Sequence, residues 1–178
     1  GHLLPDLTIE KVLRAAMTQP LFPVPLDVLK AEMTYHDFTA GETLNPRPGI
    51  MMRTAPLNHP NGATGYRVEF NGKAVCYVTD TEHTVGAADQ NILSLIEGAE
   101  ILIYDCTYTD EEFETFVDWG HSTWQEGVRL CKAGGVARLV IFHHNPDHDD
   151  NAMDVIAEQA AALMPGAVVA REGMMLEP

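Results

Sequence analysis

With 178 residues, 46% of them apolar, the chain is long enough to bury a substantial core, and we expect residues 1–178 to form a single domain. The net charge of −15 argues against long nucleic acid as a partner, but a metal ion that reverses the local field can still admit a small anionic substrate. No stretch reaches the ~18 apolar residues of a membrane span and no secretion signal is evident, so we predict a cytoplasmic protein without membrane contact.

The three cysteines, Cys76, Cys106 and Cys131, form no C-x-x-C pair of the kind found in zinc knuckles or redox sites. Their number is odd, so they cannot all pair with one another. We therefore predict three reduced and mostly buried thiols.

Helices and loops are predicted for the first part of the chain. Thr8 can cap a helix whose apolar residues from Ile9 to Ala16 recur at helical spacing and which ends before Pro20. After it we predict a second short helix over 26–33, a short strand over 34–38 and a Gly- and Pro-rich loop over 41–49.

A β pattern begins at residue 50 and gives way to alternating helices and strands at residue 89, which is typical of a layered α/β fold. Asn71-Gly72 is a strong signal for a two-residue hairpin, and Ser122 with Gln125 has the spacing of a helix capping box. The predicted strands span 51–56, 65–70, 74–79, 101–104, 137–142 and 167–171, and the predicted helices span 89–97, 110–116, 122–132 and 149–163.

Polar residues follow several predicted strands. His59 and Asp80 each come just after a strand, and the segment 143–150 contains three histidines and three aspartates. Imidazole and carboxylate groups that meet at one edge of a sheet suit zinc or manganese. Spacing alone favours ordinary loop residues over metal ligands for His59 and Asp80, whereas the 143–150 segment is richer in ligand groups than a solvated turn requires.

His121 immediately precedes a predicted helix. A histidine in that position can turn its ring toward an anionic ligand at the helix N-terminus, and the alternative is a histidine in a surface loop.

A family resemblance joins these clusters. Between residues 55 and 150 the chain contains, in order, the motifs L-x-H-P, G-Y-R-V-E, V-T-D-T, Y-D-C-T-Y, G-H-S-T and A-G-G-V-A-R-L-V-I-F-H-H-x-x-x-x-D-D. This order resembles the C-terminal part of ribonuclease Z-like hydrolases of the metallo-β-lactamase superfamily. The resemblance implies an α/β (α+β layered) fold, the metallo-β-lactamase αββα sandwich, here N-terminally truncated.

The resemblance also implies metal ligands. His59 matches a ligand of a first metal ion, Asp80 matches the carboxylate that bridges two ions, and His143 matches a ligand of the second ion. We prefer His143 to His144 because aligning the preceding strand and the pair of aspartates at 149–150 leaves His143 in the ligand position. The implied cofactors are two divalent ions, zinc or manganese/iron.

Two further residues receive catalytic roles from the resemblance. His121 matches a histidine thought to act as proton donor or transition-state clamp near the scissile phosphate, and Asp105 falls where an acidic residue can support that histidine. Two bridged cations would activate a water molecule and neutralise developing charge, and His121 would protonate the leaving oxygen.

The H-x-H-x-D-H signature of the superfamily is absent from the sequence, and with it two ligands for each ion. His59 with Asp80, and Asp80 with His143, fall short of the three or four protein ligands of zinc sites, so this chain could be without bound metal. A truncated chain that begins inside the fold is the simplest explanation. The alternative is a metal-free domain with a binding or structural role.

The expected substrate is a small phosphodiester, because the acidic composition opposes the tRNA that the name of the family suggests. An ester or lactone is the second candidate. Sheet edges left open by missing strands could also pair two copies into a homodimer.

Overall fold

The computed structural model describes residues 7–178, and the chain divides into two units, Gly1–Ala40 and Gly41–Pro178. This division leaves the single-domain prediction as a prediction. Within residues 7–178, none of the helices has both the length and the apolar content that crossing a membrane requires.

The first unit contains the predicted N-terminal helix, α1 (Ile9–Ala16), whose N-cap Thr8 accepts a hydrogen bond from the backbone N–H of Lys11. The predicted helix over 26–33 is reduced to a single 3-10 turn, Leu26–Val28. The predicted strand over 34–38 is wrong. Asp37 in that segment accepts a hydrogen bond from the backbone N–H of Ile9 at 2.8 Å, so the segment serves the start of α1 rather than a strand ladder.

The second unit is built on a seven-stranded sheet in which the strands follow one another in sequence order. The strands are β1 (Thr43–Arg47), β2 (Ile50–Leu57), β3 (Ala63–Phe70), β4 (Lys73–Val78), β5 (Ile101–Asp105), β6 (Arg138–Phe142) and β7 (Val168–Val169). The pairs from β1 to β4 are antiparallel and those from β4 to β7 are parallel. The predicted layered α/β organisation is confirmed.

The hairpin prediction is also confirmed, because Asn71 and Gly72 join β3 to β4 with φ angles of 51° and 75°, as a type I′ turn requires. The predicted loop over 41–49 is wrong where the structure has β1, because Thr43–Arg47 pairs with β2 in spite of Pro46. An edge strand tolerates proline because the missing N–H leaves no ladder partner unpaired.

Four helices accompany the sheet: α2 (Gln90–Ile96), α3 (Asp110–Phe113), α4 (Trp124–Gly134) and α5 (Asp150–Leu163). The capping box predicted from Ser122 is wrong. Thr123 caps α4 by accepting from the backbone N–H of Glu126 at 3.1 Å, whereas the fully buried Ser122 bonds Tyr104 and His83.

The core lies between the sheet and α2, α4 and α5. Ile96 of α2, Val128 of α4 and Ile156 of α5 are buried in one cluster with Leu102 and Leu139 of the central strands. The same cluster contains the three cysteines, all of which are free and buried, as predicted. The carboxyl ends of β2, β4, β5 and β6 share one edge of this sheet.

Candidate active site

The five residues singled out from the sequence lie at this edge of the sheet. His59 and Asp80 each come two residues after β2 and β4, Asp105 is the last residue of β5, and His143 follows β6 directly. His121 belongs to the loop before α4. Because parallel strands end at the same edge, residues far apart in sequence meet there.

Asp105 is fully buried and holds the neighbouring loops together. Its Oδ2 accepts from the backbone N–H of Asp80 at 2.9 Å, from that of Thr81 at 3.4 Å and from Nδ1 of His121 at 3.0 Å. Its Oδ1 accepts from the Thr107 hydroxyl at 2.8 Å, the Thr107 N–H at 3.3 Å and the Ser122 N–H at 3.2 Å. Each oxygen thus compensates the burial of the carboxylate with three donors.

The position of the His121 ring follows from this contact. A carboxylate can only accept, so Nδ1 carries the proton and Nε2 is the ring atom left for chemistry. The hydrogen bond to Asp105 raises the pKa of His121, burial opposes the rise, and the negative charges of Asp105, Asp80 and Glu82 add to it. His121 therefore holds a proton at higher pH than an ordinary histidine.

Two residues of the site have backbone angles that non-glycine residues seldom adopt. Asp80 and His143 both have φ of 59°, in the left-handed region. Polar contacts fix both, since the N–H of Asp80 donates to Asp105, and the carbonyl oxygen of His143 lies 2.8 Å from the Thr107 hydroxyl, whose one proton is shared between that oxygen and Asp105. Backbone strain held in place at a polar cluster points to a functional demand on these side chains.

The potential ligand atoms form two overlapping groups. Those of His59, Asp80 and His121 lie within 4.8 Å of one another, and so do those of Asp105, His121 and His143. Nε2 of His143 also lies 3.6 Å from Oδ1 of Asp80. The structure therefore brings together every residue proposed as ligand or catalyst, and it adds His121 to both groups.

His144 is placed differently from its neighbour. Its Nε2 is 2.9 Å from the carbonyl oxygen of Ile141, in the strand that precedes it. His143 instead stacks on His121, with ring centroids 4.8 Å apart. This geometry supports the choice of His143 as the candidate ligand, which remains a prediction.

Glu82 and Gly120 were not identified from the sequence. The N–H of Gly120 donates to Glu82 at 2.9 Å, and a Cβ added to Gly120 would lie 2.5 Å from the ring of His59. Gly120 has φ of 85°, which favours glycine independently of the space. Both residues help to line a cavity of about 330 Å³, together with Asn58, His59, Pro60 and Asp118. No local sequence pattern predicts that Glu82, in a loop, accepts a hydrogen bond from a residue 38 positions further along the chain.

His83 and Thr107 were also missed as supporting residues. His83 is buried, its Nδ1 lies 2.8 Å from the Ser122 hydroxyl, and its ring stacks on Phe113 at 4.2 Å. Burial lowers the pKa of His83, the opposite direction to that of His121. The Thr107 hydroxyl contacts both Asp105 and His143. Thr107 is the threonine of the motif Y-D-C-T-Y, but the motif alone does not indicate these contacts.

Sequence comparison gives consistent relatives. A protein named Ribonuclease Z from Parabacteroides distasonis is 25% identical over 176 residues, 99% of this chain and 51% of the relative. Another Ribonuclease Z, from Brevibacillus brevis, is 31% identical over 91 residues, 51% of this chain and 27% of the relative. The chain thus spans about half the length, or less, of the curated relatives it matches.

Solved structures support the fold. Zn²⁺-bound PqqB from Methylobacterium extorquens has a TM-score of 0.64 at 17% identity, covering 96% of this chain and 63% of that one. The metallo-β-lactamase fold protein YhfI from Bacillus subtilis has a TM-score of 0.61 at 19% identity, covering 77% and 53%. The metallo-β-lactamase fold expected from the motifs is confirmed.

The family itself follows from a match over most of the chain. The sequence model described as Beta-lactamase superfamily domain matches residues 8–144. With its ribonuclease Z relatives and the fold of its sheet, the chain belongs to the β-lactamase superfamily domain family, in the metallo-β-lactamase branch that the motifs indicated.

Proposed function

We propose that this chain carries the catalytic face of a metal-dependent hydrolase that cleaves a small phosphodiester. The proposal rests on one observation above all, the convergence of His59, Asp80, His121 and His143 around the buried Asp105. The relatives named Ribonuclease Z support a phosphodiester bond as the target. The acidic composition favours a substrate with few phosphates.

The donor set fits a divalent metal ion. Imidazole nitrogen with carboxylate oxygen is the combination that zinc and manganese prefer. Asp80 shares one group of potential ligand atoms with His59, and its Oδ1 lies 3.6 Å from Nε2 of His143. His59, Asp80 and His143 would hold metal. A bound divalent ion supplies positive charge against the developing anion and Lewis-acid activation of the attacking water.

His121 would act as the general acid. Its Nε2 gives a proton to the leaving oxygen as the bond from that oxygen to phosphorus breaks, and the ring is neutral afterwards. Asp105 keeps Nδ1–H oriented and stabilises the protonated ring, which is why the pKa of His121 is raised. Glu82 positions Gly120 and thereby the loop that carries His121.

Metal content of the purified 178-residue chain tests this proposal first. After equilibration with zinc and exhaustive dialysis, we expect metal retained by the wild type and hydrolysis of bis(p-nitrophenyl) phosphate. His143→Ala should lose metal, whereas the matched variant His144→Ala should keep it, because His144 is engaged with the backbone of Ile141. Metal bound equally by both variants would contradict the assignment of His143, and a metal-free wild type would confine the activity to a longer polypeptide.

The finer expectations from the sequence remain predictions. These are a phosphodiester rather than an ester or lactone, the nature of the ion, a cytoplasmic location and a homodimer. Parallel turnover assays on p-nitrophenyl acetate would separate the first pair, since an ester hydrolase would prefer it over the phosphodiester.

A further inference from the structure

Three aromatic side chains continue outward from His121, and we call them the aromatic ladder: Tyr108, Phe116 and Trp119. The ring of Tyr108 lies 6.4 Å from that of His121, edge to face. Phe116 stacks on Tyr108 at 4.6 Å with an interplanar angle of 3°, and Trp119 meets Phe116 edge to face at 5.4 Å. Continuous ring contacts therefore link the candidate general acid to the protein surface.

Trp119, the outermost residue of the aromatic ladder, is exposed to solvent. Trp119 is 62% exposed, whereas the other tryptophan of the chain, Trp124, is 3% exposed and belongs to the core. A single exposed apolar residue needs no explanation by itself. Trp119 differs because it is two residues from His121, which limits the separation of their Cα atoms to about 7.6 Å, and because it ends a stack that begins at the site.

The turn that carries Trp119 is held in place. Asp118 and Gly120, on either side of it, both have positive φ, 72° and 85°. The N–H of Trp119 donates to the carbonyl of Phe116 at 3.3 Å, and that of Gly120 donates to Glu82 at 2.9 Å. The indole is thus presented from a fixed backbone, which lowers the entropy lost on binding a ligand.

The adjoining cavity favours one phosphoryl group over several. Within residues 7–178, its lining includes the carboxylates of Glu82 and Asp118 and no lysine or arginine. A second phosphate would meet these two carboxylates there without a compensating cation, whereas an uncharged ring would avoid that repulsion.

We propose that the aromatic ladder is the subsite for a flat aromatic group, either a nucleobase or an aryl ring, that is attached to the phosphoryl group at His121. This inference rests on the proposed function and specifies its substrate class. Trp119 provides the stacking face, and Tyr108 with Phe116 sets the distance between that face and the reacting centre. Stacking on tryptophan is tolerant of the ring that binds, so both sources share this chemistry.

Binding without turnover tests the proposal independently of catalysis. Dissociation constants would be measured by calorimetry on the zinc-equilibrated chain for two matched pairs: phenyl phosphate against methyl phosphate, and adenosine monophosphate against ribose 5-phosphate. We expect the aromatic member to bind about tenfold more tightly, and Trp119→Ala to abolish that preference. Trp119→Phe should retain part of it. Phe70→Ala is the control, because Phe70 is a 52% exposed aromatic residue beside the β3–β4 turn at the opposite edge of the sheet.

Each outcome of these binding experiments either supports or overturns the proposed aromatic subsite. A preference in both pairs supports a general aromatic subsite, and a preference in one pair supports the proposal and identifies its source as nucleobase or aryl ring. Equal binding within both pairs, or a preference that survives in Trp119→Ala, overturns it. Self-association that Trp119→Ala abolishes, without any ligand preference, would also overturn it in favour of an interface. Aromatic preference without hydrolysis would keep the subsite and refute only the proposed catalysis.

Discussion

Asp105→Asn is the substitution that most directly tests how the site is held. It is nearly isosteric, but it replaces one acceptor oxygen with an NH₂ group that can only donate. Whichever way the amide turns, that group faces backbone N–H donors, those of Asp80 and Thr81 on one side or those of Thr107 and Ser122 on the other. These donors belong to the backbone and cannot rotate away.

The expected cost follows from that count. Two N–H groups lose their acceptor, both buried on the side of Thr107 and Ser122 and one of them part-buried on the side of Asp80 and Thr81; each unsatisfied buried group costs about 1–3 kcal/mol, so the free energy of unfolding should fall by up to about 2–6 kcal/mol. That is a large fraction of the roughly 5–15 kcal/mol that stabilises an ordinary domain. The pKa of His121 should also fall, because its leading cause, the hydrogen bond to Asp105, is lost.

Urea unfolding followed by circular dichroism measures the first effect, and an NMR titration of the imidazole measures the second. Asp118→Asn is the matched control, since Asp118 is an exposed aspartate of the same region and asparagine tolerates its positive φ. A loss below about 0.5 kcal/mol in Asp105→Asn, the range of neutral surface changes, would refute the role assigned to this carboxylate.

Three further predictions concern neighbouring features. Gly120→Ala should lower both stability and metal retention, because the new Cβ would lie 2.5 Å from the His59 ring. Gly86→Ala is the control in the same urea and metal assays. Gly86 also has positive φ, 76°, but no atom would lie within 4 Å of its new Cβ, so this variant shows the cost of the backbone angle alone. Burial lowers the pKa of His83, so below pH ~6.5 the unfolded chain binds more protons than the folded chain. The stability that this histidine contributes is therefore present above that pH and is lost as the pH falls toward the folded pKa. The pH dependence of urea midpoints should flatten in His83→Gln, and an unchanged slope would contradict this. Thr123→Ala removes the N-cap of α4 and should cost ~1 kcal/mol or more in the same unfolding assay, whereas a neutral result would mean that α4 does not depend on this cap.

The sequence was most informative where local chemistry decides the structure. Asn71-Gly72 specifies its turn through positive φ angles, and the helix beginning after Asp149 has a capping aspartate that accepts from Ala152. It was least informative where a tertiary partner decides. β1 contains Pro46 and still forms a strand by pairing with β2, whereas the residues over 34–38 do not form a strand.

The candidate site divides in the same way. The family motifs identified His121 and Asp105 as a pair, and the structure places their side chains 3.0 Å apart. Glu82 and the aromatic ladder could not be predicted, because their contacts depend on how the loops fold: Glu82 reaches Gly120 across 38 positions, and Tyr108 contacts both Phe116 and His121.

The buried thiols have a practical consequence for following this molecule in solution. Burial raises the pKa of Cys76 to about 11 and that of Cys131 to about 12, and Cys106 is shielded in the same core. Thiolate is the species that alkylating reagents attack, so a maleimide added at neutral pH meets almost none of it while the chain is closed. The rate at which the native cysteines are labelled thus reports how often the chain unfolds globally. A cysteine engineered onto the surface could carry a dye without any of the three being removed.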